Sequence, residues 1–146
     1  MSWANLAQQL PWLRGQAVHL AAQNTQQLIA ETADAAGFTV LVGAAGSATG
    51  PYGGVVATLG LPASAAANLD ALADGLREVP ARWPDSQRLA LLVPDSHTLI
   101  RSDLLSWAQL CLVLGQASAD VWDREQLVFE TVFFVPDGSF GADAPH

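Results

Sequence analysis

The chain contains no lysine: its 6 basic residues are all arginine, set against 14 acids, for a net charge of −8 over 146 residues. A surface with that balance repels nucleic-acid phosphates and anionic lipid, so no nucleic-acid or membrane partner is expected and a basic protein is favoured. Without lysine there is also no Gly-x-x-x-x-Gly-Lys-Ser/Thr loop. The stretch Gly43-Ala44-Ala45-Gly46-Ser47-Ala48-Thr49-Gly50 follows a strand candidate but matches neither that pattern nor Gly-x-Gly-x-x-Gly. Cysteine is limited to Cys111, inside the apolar run Leu110–Leu114. That excludes an intrachain disulfide, reads as a core thiol rather than a nucleophile, and fits a reducing cytoplasm. His19, His97 and His146 stand far apart without cysteine or histidine at ligand spacing, so no metal and no cofactor is expected. Asp95-Ser96-His97 reads as polar turn chemistry, because catalytic triads are not formed by adjacency in sequence. No uninterrupted apolar run approaches the ~20 residues needed to cross a bilayer. The start, Met1-Ser2-Trp3-Ala4-Asn5, lacks the basic-then-apolar pattern of a signal peptide, so a cytoplasmic location is expected.

What is present is a hydrophobic fraction of 51%, enough to build one core without staples. The acids are unevenly placed. Residues 1–69 carry a net charge of −1, and residues 70–146 hold 12 acids against 5 arginines. Solubility alone could account for this, and so could a cationic partner met by the second half. Phe38–Val42 is β-branched or apolar throughout, Leu89–Val93 is a continuous apolar run and Leu127–Val135 is nearly all apolar, all of strand length, and Ala17–Ala22 is a candidate N-terminal edge strand. Between them lie a helix from Asn24 or Thr25 to Gly37, a short one over Val55–Leu61, one from Asn68 to Val79, and a long one capped by Ser102 or Asp103 and running to Gly115. Strands alternating with helices give an α/β fold with a small parallel sheet and helices packed on it. The expected organisation is an N-terminal extension over 1–37, a core domain over 38–135 and a flexible tail over 136–146.

The informative stretch is Leu61 to Val79. Asn68 is a good N-cap, and Asp70 follows in the first turn, where the helix dipole favours negative charge. Leu69, Leu72, Leu76 and Val79 recur at steps of three and four and make one buried stripe. Asp70, Asp74 and Glu78 fall four residues apart on another face, where like charges repel. Gly75 in mid-helix costs about 1 kcal/mol relative to alanine. Selection for helix stability alone would choose neither feature. The plain alternative is that Asp74 pairs with Arg77, Asp70 serves the dipole, and the face is merely solvated.

Pro62, Asn68, Leu69, Asp70, Ala71, Leu72, Asp74 and Leu76 resemble the hallmark of the barstar family: a proline, five residues, then Asn-Leu/Trp-Asp-Ala-Leu-x-Asp-x-Leu opening a core helix. From Phe38 onward the order of elements is similar to that fold. The resemblance implies no enzyme but an intracellular inhibitor, an immunity protein whose acidic helix and preceding loop plug the basic active site of a secreted microbial ribonuclease or similar toxin. It implies Asp70 and Asp74 as the inhibitory carboxylates, with Asp74 the phosphate mimic, and places Asn68, Ala73, Ser64 and Glu78 at the same partner-binding surface. Two departures stand out. The loop reads Ser64-Ala65-Ala66 where the family carries aromatics and a glycine, and Ala73 stands where the family often has tryptophan. Tyr52 and Trp83 are the candidates to replace those aromatics, and an interaction module with a non-nuclease partner is the alternative.

Overall fold

The computed structural model describes residues 5–13, 15–44, 46 and 50–137. In chain order the elements are α1 (Leu6–Gln9), β1 (Val18–Ala22), α2 (Gln26–Ala35), β2 (Thr39–Val42), α3 (Gly53–Thr58), a 3-10 turn (Ala63–Ala66), α4 (Leu69–Leu76), α5 (Val79–Arg82), β3 (Arg88–Val93), α6 (His97–Ser102), α7 (Leu104–Glu125) and β4 (Val128–Val135). The four strands form one sheet in the order β1-β4-β3-β2, every neighbouring pair parallel. The α/β class with a parallel sheet is therefore as the sequence predicts, and Val18–Ala22 is indeed an edge strand.

Right-handed crossovers fix the layers. The path β2 to β3 to β4 steps one way across the sheet, and β1 to β2 runs the opposite way, so their helices must fall on opposite faces. The core divides accordingly. Leu89, Leu91, Val93, Phe129 and Phe133 meet α3, α4 and α7 on one face. Ala90, Leu92, Val128, Val132 and Phe134 meet α1 and α2 on the other. With both faces covered, β4 is buried along its whole length, which is why its sequence is nearly all apolar.

Thr131 and Glu130 interrupt that run, and the ionisable one is Glu130. It is 2% exposed, its Oε1 lies 2.6 Å from Nε2 of the equally buried His19, and its Oε2 accepts the Leu6 N–H at 2.8 Å. A buried carboxylate is tolerated only when its oxygens are satisfied. These contacts tie β1 and the start of α1 to one point on β4. A one-residue slip of β1 would turn His19 to the other face.

Several boundaries differ from the sequence reading, each for a local reason. The helix predicted over Asn68–Val79 stops at Leu76, and a separate turn of helix, α5, begins at Val79. Pro80 has no N–H to donate and fits only a first turn. The long helix does not stop at Gly115 but continues to Glu125, where Gln126 takes a left-handed conformation (φ 57°). The polar turn expected at Asp95-Ser96-His97 leads into a short helix that the sequence reading did not assign, α6 over His97–Ser102. On α2, Leu28 is exposed, and Ile29 and Ala33 form the buried stripe. By length and composition α7 could cross a bilayer, contrary to the expectation from uninterrupted runs; here Leu110, Leu114 and Val121 pack it into the core. Most of the predicted tail, residues 138–146, lies outside the described residues.

Candidate functional site

The acidic helix α4 is built as its sequence dictates. Asn68 has extended backbone angles, and its Oδ1 accepts the Ala71 N–H at 2.8 Å. This satisfies one of the free donors of the first turn. Leu72 and Leu76 are fully buried against the sheet, with Leu69 partly buried beside them. That stripe fixes the rotation of the helix and turns Asp70 and Asp74 outward.

Both aspartates are exposed, one turn apart, and among the described residues neither makes a hydrogen bond or an ion pair. The alternative in which Arg77 neutralises Asp74 is not what the helix does. Arg77 offers its carbonyl oxygen to Nη2 of Arg124 at 3.1 Å. Arg124 is in turn held by Asp120 at 2.7 and 3.0 Å, one turn earlier on α7. The hydrogen bond from Arg124 holds the Asp120 carboxyl below the usual carboxylate range. The nearby arginine that is engaged, Arg124, is therefore committed to Asp120, and among the described residues Asp70 and Asp74 form no ion pair.

The remaining expected site residues fall around this pair. Ser64 is exposed on the 3-10 turn, and Glu78 is exposed at the junction of α4 and α5. Ala73 is exposed and, with Arg77, forms one wall of a shallow groove whose other wall is Val113, Gln116, Ala117 and Asp120 of α7. Local spacing in the sequence gives no sign of that second wall, because it comes from some forty residues further along the chain.

Gly75, unexplained by helix propensity, has a packing reason. A Cβ at this position would lie 2.8 Å from the Ala65 Cβ and 3.5 Å from Leu61 Cδ1. Only glycine lets the 63–66 turn lie flat against α4. The run of small residues there is the matching half of this contact. Of the two aromatics expected to replace the missing loop aromatics, one is buried and the other, Trp83, is half-buried. Tyr52 is 8% exposed and belongs to the core. Trp83 donates its indole N–H to the Leu59 carbonyl at 3.0 Å and packs on the same cluster.

A second depression lies at the C-terminal ends of β2 and β3, between Gly43, Pro51, Pro94, Asp95, Ser102 and Asp103. Residues 45 and 47–49 of the glycine-rich stretch lie outside the described residues. Among the described residues no three His, Cys, Asp or Glu side chains are grouped to hold a metal ion.

A family model described as barstar (barnase inhibitor) matches residues 38–134. The matched span runs from the residue before β2 to the penultimate residue of β4 and contains α4. No curated protein and no solved structure matches the chain.

Proposed function

The chain belongs to the barstar family, a family of inhibitor proteins rather than enzymes, and from that premise we propose that it is a stoichiometric inhibitor whose α4 acidic face enters the basic active site of a ribonuclease or similar toxin. A cleft that grips a phosphate backbone is lined with arginine and lysine, and exposed carboxylates one helical turn apart are attracted to the same groups. The observation that carries this reading is the exposed pair Asp70 and Asp74, one turn apart and committed to no partner among the described residues. Asp74 takes the central phosphate-mimicking role and Asp70 flanks it. Asn68 holds the start of the helix. Ser64 and Ala73 are small enough to let the partner approach closely, and Glu78 extends the negative surface. The excess of acids in residues 70–146 steers the encounter. In this reading the protein acts in the cytoplasm of the cell that secretes the enzyme, as an immunity protein.

The test is to titrate the protein into barnase and other basic extracellular bacterial ribonucleases while following RNA cleavage. Inhibition complete at one equivalent, weakened most by Asp74→Ala and less by Asp70→Ala, supports the reading. Inhibition unchanged in both variants removes the assigned site. One observation favours a second reading, an interaction module for another basic protein: the 63–67 segment has no aromatic anchor, and Tyr52 is held inside. A chain that inhibits none of these enzymes yet binds a different basic protein through Asp70 and Asp74 would select it.

A further inference from the structure

The outer side of α7 is apolar where a solvated helix would be charged. Residues 104–119 contain no Asp, Glu, Arg or His, in a chain that otherwise carries acids throughout its second half. Leu104, Leu105 and Leu112 are 59%, 68% and 62% exposed. Leu105, Ala108 and Leu112 recur at helical spacing on the side opposite Leu110, Leu114 and Val121, which face the sheet. Contiguous exposed apolar surface of this kind marks an interaction site.

Its position says which one. α4 and α7 lie side by side on the same face of the sheet, each burying its stripe toward the same core cluster. Their outward faces therefore look the same way. Between them runs a groove with Ala73 on one wall and Val113 and Gln116 on the other. Leu112 directly precedes Val113 and lies one turn before Gln116, so the leucine stripe continues the surface that carries Asp70 and Asp74.

We infer that Leu105, Ala108 and Leu112 form the apolar half of the interface whose charged half is Asp70 and Asp74, packing against an uncharged patch beside the partner's basic cleft. This inference rests on the inhibitor reading and adds what that reading lacks. Tight interfaces need a desolvated apolar centre as well as charge, and the 63–67 segment supplies no aromatic for it. Charge selects the occupant. A second copy would set Asp70, Asp74, Asp103 and Asp123 against their equivalents on a chain of equal net charge, −8, and an anionic bilayer would be repelled in the same way. A cationic protein is attracted.

The experiment compares wild type, Leu105→Ser/Leu112→Ser and Asp74→Ala for binding to a ribonuclease, with barnase as the first probe. The leucine positions are exposed, so urea denaturation of the double variant should match wild type. The expected result is an affinity at least about tenfold weaker for the leucine variant, carried by faster dissociation and insensitive to salt. Asp74→Ala should instead also flatten the salt dependence of association. A leucine variant that binds as tightly as wild type while Asp74→Ala is impaired overturns this inference and leaves the inhibitor reading standing. Wild type that binds no ribonuclease overturns both. A dimer seen by sedimentation, or binding to phosphatidylserine vesicles, that is lost in the leucine variant assigns the stripe to a second copy or to a bilayer and overturns the inference alone.

Discussion

Replacing Gly75 by alanine should destabilise the protein, although it improves helix propensity. Two effects of opposite sign compete. Alanine in a helix interior gains about 1 kcal/mol over glycine. The new methyl, however, would lie 2.8 Å from the Ala65 Cβ, closer than carbon atoms approach without displacement. Ala65 cannot rotate aside, because its only side-chain atom is fixed to a backbone held by the Ala65 N–H to Pro62 and Ala67 N–H to Ser64 hydrogen bonds. Overpacking of this kind costs about 1–3 kcal/mol. The balance is a net loss of about 1 kcal/mol, read as a lower urea midpoint at unchanged slope. In an Ala65→Gly background the obstruction is gone, and the same substitution should become favourable by about 1 kcal/mol. The coupling between the two sites is then about 2 kcal/mol, within the range for residues in contact. A Gly75→Ala single variant more stable than wild type would refute the claim that Gly75 exists for close packing of the 63–66 turn.

Glu130→Ala removes the group that both His19 and the Leu6 N–H bond to, and should cost about 3–5 kcal/mol in urea denaturation, with Glu130→Gln losing less because it keeps the shape and an acceptor. Asn68→Ala should cost about 1 kcal/mol through loss of the cap on Ala71, with Asn68→Asp close to neutral. Burial pushes the Cys111 thiol up from 9.0 to about 12. A thiol reagent at pH 8 should therefore label native protein far more slowly than urea-unfolded protein. The same shift has a signed consequence for stability. Above pH 9 the unfolded chain releases this proton while the native chain keeps it, so the contribution is intact below pH 9 and declines between pH 9 and 12.

The fold was largely legible because its strands are apolar runs covered on both faces, and a doubly covered strand such as β3 announces itself by continuity. The cap at Asn68 and the stripe through Leu72 and Leu76 were legible because both follow from spacing within a single helix. Contacts between distant segments were not. Nothing near Glu130 in sequence signals His19 or Leu6, 111 and 124 positions away. The reason for Gly75 lies ten residues earlier at Ala65, and the wall facing Ala73 lies on α7. Tyr52 misled for a related reason: an aromatic near the site in sequence serves core or surface alike, and only packing decides which.

Titration calorimetry of wild type and the isosteric Asp70→Asn/Asp74→Asn variant against a ribonuclease that the wild type inhibits tests the central claim most directly. The charge is removed while the shape and the exposed position of α4 are kept. The account predicts a saturable 1:1 complex for wild type and an affinity at least about 100-fold lower for the variant. Equal affinity of the two proteins would contradict it.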